Sequence, residues 1–469
     1  MTPAAGGALT PRRKTLALLT LVVALVLEIV DLTIVNTALP LIRADLGAGG
    51  LAAQGVVAGY SLAFALLLMA GGRLGDSWGY ARVFIAGVAG FTVASALCGL
   101  AASGGELVLA RLLQGAAGAI MAPQALALLQ VLFDPLERVA KMAMFGLVGG
   151  LAAIAGPILG GLLIKANLFG LGWRIVFLVN LPVGVAAMLA GAAFLPAARS
   201  PRPPGFDGPG MALFAGVVAL LVVPLLARDR VPIALAAPAA LLAAVLAVAG
   251  WRHVAARVAQ GRPALFDPAL FAVPCFGLGL AMAVVFAAAN AGFLLVFAFA
   301  LQAARGLSPL AIGLMHMPFG LGAILGIGVL GRSFLPRFGR WVVVAGTLTM
   351  LAAVGAVLTG IGVPALPLAA LAPGLVVAGA GMGTASGSIG PIVVARVDRA
   401  HAGAASSLLK TCQQLGSALG VAFVGAAWFG SPGGGIAPTL AAAAGIAALL
   451  GTCALLAARL PRTIFARLV

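Results

Sequence analysis

Apolar residues in this chain come in long runs rather than in alternation. Stretches of about twenty Leu, Val, Ala, Ile, Phe and Gly residues are separated by short polar segments along nearly its whole length. Strand-type alternation with a period of two is absent. A run of about twenty apolar residues crosses the hydrocarbon core of a bilayer as a helix. Fourteen such runs can be drawn: 15–39, 52–72, 82–102, 105–130, 141–164, 174–195, 209–227, 233–250, 270–300, 309–331, 341–361, 367–395, 404–428 and 437–458. The connections are mostly under fifteen residues, so no soluble domain is expected between spans. The longest are 196–208, rich in proline, and 251–269.

Composition narrows the solvent. Hydrophobic residues make up 63% of the 469 and charged residues 8%, where a soluble domain is about half apolar and a quarter charged. Within hydrocarbon only helices or closed barrels satisfy their backbone polar groups. Gly and Ala inside the runs suit helices in close contact. The expected fold is therefore all-α, a polytopic membrane helix bundle of 14 transmembrane helices embedded in a lipid bilayer.

The net charge of +17 raises nucleic-acid binding as a possibility, and the placement of the charges removes it. With a cytoplasmic N-terminus, 20 of the 28 Lys and Arg fall in cytoplasmic segments. Six lie in or beside external loops (Arg43, Lys165, Arg174, Arg228, Arg230, Arg305), and Arg111 and Lys410 lie within spans. That positive-inside bias puts the tails 1–14 and 459–469 in the cytoplasm, and the expected location is a bacterial-type cell membrane, inner or cytoplasmic. Cys98, Cys275, Cys412 and Cys453 fall in apolar spans without metal-ligand spacing, so neither a disulfide framework nor a metal site is expected. The start, Arg12-Arg13-Lys14 before an apolar run, has the look of a signal peptide. The run continues to Pro40 without a small-residue cleavage site and reads as an uncleaved first span.

A weak internal repeat divides the chain. Residues 72–82 (Gly-Arg-Leu-Gly-Asp-Ser-Trp-Gly-Tyr-Ala-Arg) and 332–340 (Arg-Ser-Phe-Leu-Pro-Arg-Phe-Gly-Arg) are tight basic turns at matching places. The expected organisation is two pseudo-symmetric six-helix halves, 15–195 and 270–458. A linker region with two inserted central helices joins them over 196–269.

Several segments carry recognisable patterns. The first span holds Asp31-Leu-Thr33-Ile-Val-Asn36-Thr-Ala38-Leu-Pro40. The 72–82 turn has a Gly-x-x-x-Asp-x-x-Gly form through Gly72, Asp76 and Gly79, with Arg73 and Arg82 as its basic residues. Span four holds Arg111-Leu-Leu-Gln114-Gly115, and span five Gly156-Pro157-Ile-Leu-Gly160-Gly161. Span six opens Trp173-Arg174-Ile-Val-Phe177-Leu-Val-Asn180-Leu-Pro182-Val-Gly184. Together, in this order, they resemble the major facilitator superfamily, and within it the 14-span drug:proton antiporters of the multidrug efflux type. Ser77 and Tyr80 depart from the basic residues usual in the 72–82 turn, and the C-terminal half matches less specifically.

The resemblance implies transport, and the residues themselves show where coupling would sit. Glu28 and Asp31 are the only acids well inside a span, one helical turn apart on one face. An ionised carboxylate at that depth faces a cavity, holds a partner, or carries a proton. Arg111 is the candidate partner, and such a group would titrate as a coupled unit. A static ion pair between spans one and four, or for Glu28 the binding of a cationic substrate, are the competing readings. For Arg111 the competing role is a hydrogen-bond hub to backbone carbonyls. Asn36, Gln114, Asn290, Phe293, His316, Lys410 and Gln413 are candidates for the substrate pathway. Lys410 has a second reading, in which it reaches the inner surface. His316 has two as well, proton relay or cavity lining. Phe293, Phe297 and Phe299, with Asn290, could line a cavity for apolar or cationic substrates, although an aromatic-rich span is more often lipid-facing or core.

Gly72, Asp76, Gly79 and Arg82, with Gly156, Pro157, Gly160 and Gly161, are the conformational candidates. Asp76 is expected near a helix start, where a carboxylate can cap and latch. Gly156 to Gly161 is expected to permit close approach and a bend. No Gly-x-x-x-x-Gly-Lys-Ser/Thr loop is present, so ATP drive is not expected. The reading is a proton-driven exporter of small amphipathic or cationic compounds, not an enzyme. It would work without a cofactor, as a monomer without an adaptor, on a small-molecule substrate and protons. The alternative is an exporter of a lipid or a specific metabolite on the same fold.

Overall fold

A computed structural model describes residues 10–200, 205–226, 235–398, 401–431 and 436–461. Arg202, Arg228, Arg230, Arg399, Arg462 and Arg467, counted in the charge pattern, lie outside the described residues, as do 1–9 and 462–469 of the two tails. Fourteen long helices follow one another: α1 (Pro11–Asp45), α2 (Gly50–Trp78), α3 (Tyr80–Leu100), α4 (Gly104–Leu132), α5 (Pro135–Ala166), α6 (Gly172–Phe194), α7 (Gly208–Leu226), α8 (Ala236–Ala259), α9 (Phe276–Arg305), α10 (Pro309–Gly331), α11 (Arg340–Ile361), α12 (Leu368–Val394), α13 (Ala402–Gly430) and α14 (Ile436–Ala458). Among the described residues there is no strand. Thirteen of the helices are long and apolar enough to cross a membrane. The other, α13, is 29 residues long but carries Lys410, Gln413 and Gln414 in its first half.

Helices overrun the apolar runs wherever nothing stops them. At 35 residues, α1 spans about 52 Å, well past a hydrocarbon core of about 30 Å. It starts at Pro11 behind Thr10, whose side chain accepts the Arg13 N–H. The 251–269 loop is shorter than expected for the same reason. Alanine-rich sequence carries α8 through Arg252, His253 and Arg257 to Ala259, and the chain turns only at Gly261, φ +64°.

Packing reveals the repeat. Helix α1 packs on α5 and α6, α2 on α4, and α3 on α4 and α6. Adding eight to each number gives the pairs of the second half: α9 on α13 and α14, α10 on α12, α11 on α12 and α14. The halves join through α2 with α13 and α5 with α10, two pairs that the same shift exchanges. Helices α7 and α8 form the inserted pair, and α7 lies along the α2–α13 seam. Burial falls accordingly, from 72% of the span in α2 to 11% in α8. Gly79 (φ +97°) and Gly339 (φ +51°) sit at matching turns, before α3 and before α11, in a conformation that suits glycine.

Among the described residues fourteen long helices alternate in direction, so the start of α1 and the end of α14 lie at one end of the bundle, the termini end. At the far end the halves close tightly. A Cβ on Gly161 would come within 2.5 Å of Leu310 Cα, one on Gly313 would strike the Pro157 carbonyl, and one on Gly50 would meet Phe429 at 2.9 Å. At the termini end an apolar cleft of about 380 Å³ opens beside Glu28 and Lys410, lined by α1, α4 and α5.

Candidate functional site

The polar centre of the molecule is built on α1. Asp31 is fully buried, and its carboxylate meets three donors from two other helices. Oδ2 accepts from Arg111 Nη1 at 2.6 Å. Oδ1 accepts from Gln114 Nε2 at 2.7 Å and from Asn180 Nδ2 at 2.8 Å. Gln114 also donates to Ser95 Oγ at 2.8 Å and accepts from Arg111 Nη1 at 2.6 Å. Arg111, itself fully buried, gives Nε to the Val56 carbonyl at 3.0 Å. Its guanidinium lies 4.6 Å from the Tyr60 ring centre and 5.7 Å from that of Phe177. Arg111 therefore bonds both a backbone carbonyl and the Asp31 carboxylate. All of these residues belong to the first half.

Glu28 departs from expectation. One turn from Asp31 and 6% exposed, it meets Lys410 Nζ of α13 at 3.4 Å instead of joining the Arg111 group. A helical turn moves a side chain about 5.4 Å along the axis, and that displacement takes Glu28 from the interior of the first half to the boundary between halves. The two acids thus have separate cations. Lys410 turns inward across the cleft, with Nζ 5.3 Å from the Phe64 ring centre.

A central cavity of about 250 Å³ lies between the halves. Thr33, Asn36, Ser61 and Pro157 line it from the first half, and Asn290, His316, Phe319 and Ser417 from the second. Three of the pathway candidates, Asn36, Asn290 and His316, meet there. The others do not: Gln114 belongs to the Asp31 cluster, Lys410 to the termini-end cleft, and Phe293 is buried against Phe297 and Phe319. Gln413, partly buried on α13, is not among the residues lining either space.

The conformational residues divide by what they touch. Gly156 and Gly160 admit Thr33 and Ile34 of α1, within the first half. Pro157 and Gly161 face Gly313 and Leu310 of α10, across the junction. Asp76 sits near the end of α2 rather than at a helix start, and it accepts from the Tyr80 hydroxyl at 2.8 Å. The α2 helix runs on to Trp78 before Gly79 can turn it, which leaves Asp76 no free N-terminus to cap. Gly72 is open, with Pro123 Cβ no nearer than 3.9 Å, and the close approach to α4 belongs to Gly71 and Gly75. Arg82 is exposed.

One polar cluster has no counterpart in the motifs. Asp207, 1% exposed, accepts from His253 Nε2 at 2.9 Å, Gly210 N at 3.0 Å and Leu265 N at 3.0 Å, with Arg257 Nε 3.6 Å away. Burial pushes its carboxyl up, but these bonds and the Arg257 charge outweigh it and hold the group below the usual carboxylate range. Beside it Arg73, from the 72–82 turn, donates to the Gly205 carbonyl at 2.6 Å and to that of Ala264. The inserted pair is thereby tied to the end of α2. Among the described residues no group of three His, Cys, Asp or Glu is arranged to hold a metal.

Comparison with known proteins follows this geometry. The Major Facilitator Superfamily profile matches residues 21–421. A probable actinorhodin transporter of Streptomyces coelicolor is 40% identical over 408 residues, 86% of this chain and 71% of that one. The drug efflux pump JefA of Mycobacterium tuberculosis is 34% identical over 437 residues, 90% of this chain and 82% of that one. Among solved structures, a bacterial homolog of the human lysosomal transporter Spinster, inward-facing and occupied, aligns with a TM-score of 0.64 at 16% identity, over 96% of this chain and 95% of that one. The nucleoside transporter NupG aligns at 0.66 and 13% identity, over 97% and 100%.

Proposed function

The chain belongs to the Major Facilitator Superfamily, and on that premise we propose that it is a proton-coupled exporter of small amphipathic or cationic compounds working by alternating access. The observation that carries this reading is Asp31, a carboxylate in mid-span with no solvent contact and three donors, from Arg111, Gln114 and Asn180. A charge there is tolerated because Arg111 balances it. Protonation removes the negative partner, leaves Arg111 unbalanced, and converts one carboxylate oxygen from acceptor to donor. The contact of α1 with α4 and α6 weakens, and α1 also carries Thr33 and Asn36 in the wall of the central cavity. Proton binding and cavity shape are therefore linked through one helix. The charge pattern supports cytoplasmic termini in a bacterial inner membrane, so that the termini-end cleft is the inner mouth and the proton enters from the far side. No cofactor takes part, and the protein acts as a monomer without an adaptor. The drug efflux pump and the probable actinorhodin transporter among its relatives support the class of cargo.

The test is purified protein in proteoliposomes under an imposed pH gradient, with Asp31→Asn as the control. Gradient-driven movement of an amphipathic drug is expected in the parent and lost in the variant. Equal gradient-driven movement in both would overturn the assignment, and lipid transfer without drug movement would replace the cargo.

A further inference from the structure

The central cavity carries chemistry that a general drug pathway does not require. Its walls are mainly apolar, formed by residues such as Leu32, Val57, Ile154, Leu294, Phe319 and Val421. Among the described residues no Asp, Glu, Lys or Arg lines it. Two buried acceptors in the lining have no partner. His316 is 4% exposed, and its Nδ1 lies 2.8 Å from the Ile312 carbonyl. A carbonyl only accepts, so Nδ1 carries the hydrogen and Nε2 of the neutral ring presents a lone pair. That Nε2 is buried and has no hydrogen-bond partner. Asn290 Oδ1, an acceptor in the same lining, is buried and unpartnered too. The edge-on contact with Phe297, ring centres 5.0 Å apart, together with the Ile312 bond, fixes the imidazole.

Orphaned buried acceptors are unusual in a folded protein, and each is unfavourable. Their natural complement is a donor brought by a ligand. A cationic ligand would bring donors but would lie unbalanced in an apolar space, since the nearest acids described above have cations of their own. We infer that the central cavity selects an uncharged, mainly apolar molecule bearing hydroxyl or phenol groups, whose O–H donors are received by His316 Nε2 and Asn290 Oδ1. This inference rests on the reading of the cavity as the cargo site and narrows its class of cargo. Specificity arises from rejection: an analogue lacking the O–H leaves both acceptors unpaired in a dry site and is discriminated more strongly than its lost contact alone would suggest.

Equilibrium dialysis of the purified protein in nanodiscs, with empty nanodiscs as background, tests this without a gradient. The probes are a para,para′-biphenyl diol, its dimethyl ether, and a biphenyl bearing a trimethylammonium group. The diol is expected to bind about tenfold or more tightly than either of the others. His316→Leu should remove that preference by weakening the diol alone, while His316→Gln, which keeps an acceptor, restores part of it. Asn290→Leu should weaken the diol about threefold or more and leave the ether unchanged. Ether or cation binding as tight as the diol, equal weakening of diol and ether by His316→Leu, or no saturable binding of any probe would overturn the inference. Asp31→Asn separates the two ideas. Lost gradient coupling with the diol preference intact supports both, whereas coupling unaffected by Asp31→Asn beside an intact preference sinks the proton assignment and spares this one.

Discussion

Two carboxylates one turn apart on α1 live in different structures. Asp31 is enclosed within one half, where Arg111, Gln114 and Asn180 are fixed relative to it by helix packing. Glu28 reaches across to Lys410 of the other half, through a pair whose lysine side chain is 43% exposed. A buried pair within one body keeps its geometry while that body moves. A pair that bridges two bodies is made or broken by the movement. Depth decides the energetics as well: removing one member of a fully buried pair strands a charge, whereas the Glu28–Lys410 pair, whose cation reaches the cleft, is weaker.

That contrast can be broken from its strong side first. Arg111→Met should destabilise the fold by about 3–5 kcal/mol, because it leaves the buried Asp31 carboxyl without its cation. Thermal unfolding in detergent measures it, and Asp31→Leu with Arg111→Met should be more stable than Arg111→Met alone. An unchanged midpoint in the single variant would mean that Asp31 is neutral in the fold. Next, Asn180→Ala removes one donor to the carboxylate and should destabilise by about 1.5–3 kcal/mol, read by the same melt.

A smaller effect tests a third buried acid, outside the membrane. Asp207 is held below the usual carboxylate range, so its charge stabilises the fold above its unfolded pKa. That contribution is lost as pH falls through the lower, folded value. The melting difference between parent and Asp207→Asn should be present at pH 7 and shrink toward zero in strong acid. A difference that is flat with pH would deny the charge a role. The weakest effect belongs to Glu28→Gln, at most about 1 kcal/mol. Its mark should instead be a shift in termini-end accessibility, read by labelling an engineered cysteine at Gly146. Lys410→Gln should reproduce it, and the two together should add nothing.

The same contrast shows what the sequence makes legible. Acids stand out in an apolar run, so Glu28, Asp31 and Arg111 were visible as a group. Which acid meets which cation depends on a one-turn displacement and on a partner 382 residues away, and no local pattern encodes either. Asn180 was visible as part of a motif but not as an Asp31 ligand. Ser95 and Tyr60 gave only a weak signal, each being one of a few polar groups on an apolar span. Span order and the two-half plan were legible because hydrophobic length and the repeated turns carry them. Helix ends were less so, since α1 and α8 continue until a glycine or a loop stops them. The Asp207 cluster was hidden because its members come from three separate segments: the chain before α7, α8, and the stretch after α8.

The inserted pair gives the molecule an unequal perimeter. Of the two seams where the halves meet, α7 runs along α2–α13, and among the described residues neither inserted helix packs on α5–α10. A compound dissolved in the surrounding lipid therefore meets the division between the halves from one flank only, and any sideways route into the centre must begin at that bare groove.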